Sequence, residues 1–578
     1  MLPGSKSNGY LPIQWRPRSD EKDPLLNIQT ADFIQRAPSF QLPALDTAVN
    51  PPSAPIAPAV VIPPFGPRII VGMIGALVAV IMSAVNYYST DINMGDIQGG
   101  FLFGHDEAAW ARSLFEVGTV IGMTFAPWCA ITFSLRRFCL VMTATMMIIG
   151  VMFPFAPNIE VFYALRLLQG MSGGFLTPIL LTVALRYCPP QYGLFAFAAY
   201  ALSSNFGPNM ALPAAAWSSD YGGYPWIFWN IVPFSAISIA AVAYGIPKDP
   251  LRLDRFKTFD WVGVLAGVPS ISALVIAASQ CDRLNWLSSP LFCFLLIGGG
   301  CLFCFFLVNE WFHPEPIFNL RILARPNFLH SVVGIVALVV IFLGVIEIPI
   351  FFLSEMKGYR PTDVAPLALI IALPQLVILP VVSAILNIEK VDCRLIFAIG
   401  LGLVAYSCYL ATFITSDWIR TDFYFIVALL ALGEAMAILP LLMFVVADMA
   451  PEEGPYVSAM FNSMKGFASV LIRTLLEGLG HIRTQYHSSI IASELGRNPL
   501  AYEERLATFN HHLGSAIGDE GTRADASLEM LAHQVHAQSY TLAIADMYRL
   551  LLLLTLAMIV LTGVLPTRVR PPRSAIAR

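Results

Sequence analysis

The sequence specifies an all-α integral membrane protein, and three observations carry that assignment. Of 578 residues, 57% are hydrophobic and only 12% are charged, against about 25% charged in an ordinary soluble domain. Mean hydropathy is +0.68, and a soluble fold has too little polar surface to cover so much apolar material. From Arg68 onward, apolar runs repeat with short polar breaks. Each run is about 20 residues long, which at 1.5 Å per residue crosses a ~30 Å hydrocarbon core. The lysines and arginines, finally, gather in alternate breaks, as cytoplasmic loops require.

Taken in order, residues 1–67 form a polar tail that holds 13 of the 42 prolines, and proline removes donors and fixes φ, so this tail is expected to be disordered. The expected spans are 69–89, 109–132, 138–157, 161–185, 194–216, 225–246, 261–280, 290–311, 328–352, 364–386, 395–415, 423–446, 457–479 and 548–565. That makes fourteen. Short connections make neighbours antiparallel, and the exception is a polar outer loop over 481–546 with six of the nine histidines. With residue 1 inside, the short inner loops and C-terminus carry fifteen basic residues and the short outer loops four. Both termini are therefore expected in the cytoplasm. A basic tail over 566–578 closes the chain.

Several functions are excluded or disfavoured on the same grounds. A net charge of −4 gives no reason to expect a nucleic-acid partner. No G-x-x-x-x-G-K-[ST] occurs, so this chain has no P-loop for nucleotide hydrolysis. The outer histidines fit no closed zinc pattern, and no metal or cofactor is expected. No nucleophile–base pair stands at membrane depth, so the chain does not read as an enzyme.

Charges inside spans are costly, and each is a functional candidate. Glu434 stands near the middle of the twelfth span with no basic residue three or four positions away. Desolvation penalises a charged carboxylate, so Glu434 is the first candidate proton carrier. Glu347, in the outer third of the ninth span, also lacks a local cation. Glu116 has Arg112 one turn earlier, and Arg473 has Glu477 one turn later. Both spacings suggest intrahelical ion pairs. Lys465 reads as snorkelling to the cytoplasmic face, and Asp91 as a solvated rim residue. Arg166 has no local carboxylate.

Several strings resemble the fourteen-span drug:proton antiporters of the major facilitator superfamily, the EmrB/QacA type. Arg166-Leu-Leu-Gln169-Gly170 matches that family's R-x-x-Q-G, and Phe206-Gly207-Pro208 is similar to the opening of its fifth-span motif. Trp226-Ile-Phe-Trp-Asn-Ile-Val-Pro233, Phe259-Asp260-Trp261 and Asp106-Glu107-Ala-Ala-Trp110 resemble the starts of its sixth, seventh and second spans. The loop after the second span departs from the pattern: Thr132-Phe-Ser-Leu-Arg136-Arg137 keeps the basic pair but not the acidic residue or the glycines.

The resemblance implies a major-facilitator fold, with six-helix halves over 68–247 and 328–565 and two inserted helices within 248–327. It implies that spans one, four, nine and twelve line a cavity. Glu434, Glu347, Glu116 and Arg166 would then couple protons. Tyr87, Tyr88, Gln169, Phe351 and Phe352 would face the substrate, and Gly207, Pro208, Arg136 and Arg137 would serve conformational change. The implied activity is proton-driven export of amphipathic small molecules from the bacterial inner (plasma) membrane. The implied partners are protons, the substrate, the lipid bilayer and a periplasmic adaptor protein, for which the helical apolar spacing of 498–506 and 527–535 offers two short amphipathic helices in the outer loop. A solute-specific transporter for a metabolite or secreted product fits the same residues. A non-transporting receptor or scaffold is the third reading, suggested by the altered loop at Thr132.

Overall fold

The computed structural model describes residues 65–223, 225–447, 449, 453–514 and 518–563. The proline-rich tail over 1–64 and the basic end from 564 lie outside the described residues. Among the described residues every regular element is helical. The helices are α1 Pro67–Ile92, α2 Met94–Phe101, α3 His105–Thr132, α4 Leu135–Met152, α5 Ile159–Tyr187, α6 Gly193–Trp217, α7 Trp226–Trp229, α8 Ile231–Gly245 and α9 Trp261–Gln280. They continue as α10 Pro290–Phe312, α11 Pro326–Lys357, α12 Pro361–Leu386, α13 Cys393–Ala411, α14 Tyr424–Val446, α15 Gly454–Arg497, α16 Pro499–Leu513 and α17 Glu520–Gly563.

Helix starts follow local chemistry. Pro67, Pro290, Pro326 and Pro361 stand in first turns, where a missing N–H costs nothing. Asn158 and Asp260 cap α5 and α9 by accepting from Val161 N at 3.0 Å and Gly263 N at 2.7 Å. Gly358 ends α11 at φ 65°, a left-handed position that suits glycine.

All fourteen expected spans are helical, and twelve of these helices are long and apolar enough to cross a membrane by composition. The other two are α6 and α15. Their polar residues, including Ser204, Asn205, Lys465 and Arg473, face an internal cavity rather than lipid.

The expected outer loop is the main difference. Beyond the two short helices expected within it, the flanking spans continue into it: α15 and α17 each run 44 residues, about 66 Å against a ~30 Å hydrocarbon core. The polar stretch holds neither Gly nor Pro between Ile482 and Leu495, so the span continues past its apolar part. Asp546 joins the two extensions, taking Arg483 and, at 2.8 Å, His487.

The packing repeats itself. In the first half α1 packs on α6 and α8, α3 and α4 pack on α5, and α4 packs on α8. Eight spans later α11 packs on α15 and α17, α12 and α13 pack on α14, and α13 packs on α17. The halves meet where α6 contacts α12 and α3 contacts α15, two equivalent pairings. The pair α9–α10 leans on α3 and α15 beside that seam. Gly118 and Gly122 on α3 meet Gly170 and Gly174 on α5, and any side chain at these positions would run into the facing backbone.

Candidate functional site

Between the halves lies a cavity of about 570 Å³. Val339, Phe342, Leu343 and Ile346 of α11 and Val80 and Ala84 of α1 supply apolar wall, and Pro208 supplies part of the α6 side. Its charged lining comes from α1, α3, α11, α14 and α15.

The chain seals the end of this cavity at which α6 and α15 begin. Tyr200 of α6 donates to Asn462 Oδ1 of α15 at 2.5 Å, Thr124 of α3 meets Ser463 Oγ at 3.2 Å, and Ser458 donates to Pro178 O at 2.8 Å. Ser383 of α12 donates to Leu194 O of α6 at 3.1 Å. All four hydrogen bonds join opposite halves and are buried, and buried polar groups in lipid need such partners.

Toward the other end, four charges interlock. Arg473 of α15 bonds Asp91 at 2.5 Å and Glu347 at 2.8 Å, and Arg112 bonds Asp91 at 2.7 Å. Arg473 therefore ties α1 of one half to α11 of the other. This corrects three expectations and adds a distant partner for Glu347. Asp91 is buried at 9% exposure rather than solvated at a rim. Glu347 has a cation, brought from α15. Neither Arg112–Glu116 nor Arg473–Glu477 forms an intrahelical ion pair among the described residues. In both the basic residue precedes the acidic one, the weaker order on a helix, and helical side chains lean toward the N-terminus, away from the later partner.

Glu116 is instead approached by Tyr87 Oη at 3.5 Å, and its Oε2 is buried without a hydrogen-bond partner. Glu434 is 4% exposed and also has a buried Oε2 without a partner. Lys465 does not snorkel away: it lines the same cavity and is the charged group that acts on Glu434, with no ion pair between them among the described residues.

Arg166 is fully buried outside the cavity lining. Its guanidinium lies 5.2 Å from the Phe115 ring centroid and 5.8 Å from that of Tyr87, and it donates to Gln169 Oε1 at 3.0 Å. Gln169 donates to Asn86 Oδ1, and Asn86 donates to Asn230 Oδ1 at 2.8 Å and Phe228 O at 3.1 Å. The R-x-x-Q-G string thus connects to the Trp226–Pro233 string through α1. Gln169 stands behind the cavity wall rather than in it. Tyr87, Tyr88 and Phe351 line the cavity, whereas Phe352 points into the core and meets Phe423 edge-on at 5.9 Å.

Gly207 lets α6 approach α1, where an added Cβ would stand 2.8 Å from Ala84 Cβ. Arg136 donates to Ala243 O at the end of α8, and Arg137 is exposed. Ser134 in that loop takes φ 72°, a backbone position that favours glycine.

Comparison with known proteins gives a consistent result. The sequence model of the Major Facilitator Superfamily matches residues 69–472. The chain is 25% identical over 340 residues to the uncharacterized MFS-type transporter YhcA of Bacillus subtilis, covering 59% of this chain and 63% of that relative. It is 22% identical over 411 residues to the fatty acid resistance protein FarB of Neisseria gonorrhoeae, covering 70% and 77%. It is 21% identical over 344 residues to the multidrug export protein EmrB of Escherichia coli K12, covering 60% and 67%. The crystal structure of the human organic anion transporter MFSD10 aligns over 85% of this chain and 100% of its own, with TM-score 0.50 and 11% identity, a likeness of fold.

Proposed function

We propose, because the chain belongs to the Major Facilitator Superfamily, that this multi-pass membrane transporter is a proton-coupled exporter of amphipathic organic compounds. The observation that carries the reading is Glu434, a carboxyl group with an unpartnered buried oxygen in a cavity sealed at one end. Transport by alternating access needs such a two-sided seam, closed here by α3, α5 and α6 against α12 and α15 and reopened by rocking of the halves.

Apolar wall and a few charged groups suit a molecule with an oily body and a polar end. Loading Glu434 with a proton from outside removes a buried charge opposite Lys465. Releasing that proton inside restores it, and substrate and proton occupy the same cavity in turn. Glu116, Glu347 and Arg166 support this role through Tyr87 and Arg473. The names of EmrB and FarB point the same way. The bacterial inner membrane, cytoplasmic termini and a periplasmic adaptor docking on the α15–α17 extension belong to the same reading.

The test is export from proteoliposomes with an imposed proton gradient, over a panel of cationic, neutral and anionic amphipaths that includes rhodamine 6G. The expected result is gradient-driven flux of several of them. Flux of one solute alone would replace this reading with the solute-specific one. No flux of any compound under any gradient would leave a non-transporting role.

A further inference from the structure

A second chamber, of about 870 Å³, lies at the end of the bundle that carries the helical extension. Its floor comes from α2, α3, α11 and the end of α9, and its walls from the bases of α15 and α17. The two chambers share Arg112, Phe351, Ser354 and Glu477. Those four side chains form a throat between them. The linings differ in kind. The central cavity is mostly aliphatic and aromatic, whereas His105, His481, Gln485, His536 and Tyr540 line the second chamber.

The walls are built rather than incidental. Asp546 clamps α15 to α17 through His487, and Arg549 lies on the same carboxylate at 2.7 Å. His481 approaches Asp282 at 3.5 Å, and Gln538 donates to Ser416 Oγ at 3.1 Å, so the extension is also tied to the bundle at two separate loops.

We propose that this chamber is a second substrate subsite, the last station on the way out of the central cavity. It rests on the export reading, under which the extension end is the releasing side. The chamber takes the polar end of an amphipathic compound that carries a cation or hydrogen-bond donors. Glu355 and Glu477 line it, and neither makes an ion pair among the described residues, while Arg112 and Arg283 are engaged by Asp91 and Asp106. Both volumes fall in the range that holds one drug-sized molecule, about 300–1,000 Å³. An amphipath leaving the aliphatic cavity exchanges that wall for water-facing polar groups in two steps, with the throat between them.

Two glycines make the test clean. Gly480 and Gly95 both line the chamber. A Cβ at Gly480 meets only Met547 Sδ at 3.9 Å, and one at Gly95 meets nothing within 4 Å. Gly480→Phe and Gly95→Phe therefore add bulk to the chamber lining from two different helices, with no backbone within 4 Å of either new Cβ. The probe is rhodamine 6G, measured by equilibrium binding to the full chain in nanodiscs and by export from proteoliposomes. The wild type is expected to bind about two probes per chain and each variant about one, with the remaining site's Kd unchanged. Export in both variants is expected to slow about tenfold or more. Wild-type stoichiometry and export in both variants would overturn the subsite and leave the export reading standing. Loss of both binding sites together, in variants that melt like the wild type, would also overturn it, because the chamber would then not be separate. If the wild type neither binds nor exports any compound of the panel, the export reading falls and this proposal falls with it.

Discussion

Removal of Arg473 has the consequence most directly worked from the geometry. Its guanidinium holds Asp91 at 2.5 Å and Glu347 at 2.8 Å, and its side chain is 17% exposed. In Arg473→Gln, Asp91 keeps Arg112 at 2.7 Å, but Glu347 is left as a buried carboxylate with no cation. Breaking a buried pair from one side costs about 3–5 kcal/mol, and the open cavity beside it places this case at the lower end of that range. Glu347→Gln alone leaves Arg473 with Asp91 and costs less. The double variant removes both charges of one pair, so its loss is smaller than the sum of the two, with a coupling energy of about 1.5–3 kcal/mol. The assay is unfolding of the purified protein in mixed micelles, run on the four members of the cycle. Additive losses, with coupling under about 0.5 kcal/mol, would refute the argument that Arg473 is held in place by Glu347 within its own half.

Three further outcomes are expected. Ser134→Gly relieves a φ of 72°, and the variant should be more stable by about 1 kcal/mol in the same unfolding assay. A reporter fused after Arg523 should behave as periplasmic, and cytoplasmic behaviour would invert the orientation on which export depends. Deleting 495–535 with a short linker should preserve substrate affinity, since the chamber-lining residues of α15 and α17 lie outside that stretch. Cellular export should be lost if an adaptor docks there, and normal export would remove the adaptor from the account.

Much of the fold was legible because it depends on local properties. Apolar runs of sufficient length located all fourteen helices, and the R-x-x-Q-G string located Arg166 and Gln169 beside each other. Glu434 was legible because no cation lies near it in sequence. What stayed hidden are contacts between distant helices. Arg473 and Asp91 stand 382 residues apart, and no spacing rule reaches that far. Nor could Lys465 be placed in the same cavity as Glu434, for the same reason. Phe351 and Phe352 show the limit in small: successive residues on a helix point about 100° apart, and only packing reveals which of the two faces the cavity. In the extension of α15 and α17 only the short amphipathic segments show helical spacing, because composition there turns polar, although polarity alone does not end a helix.

Glu434 is the group proposed to exchange a proton for substrate. The direct measurement is proton release on adding rhodamine 6G to the purified, weakly buffered protein in detergent, for the wild type and for Glu434→Gln. Gln keeps the size of the side chain and removes its titration. The account predicts release of protons by the wild type, and in Glu434→Gln binding without release and without dependence on pH. Equal proton release from both proteins would contradict it and would pass the role to Glu116 or Glu347.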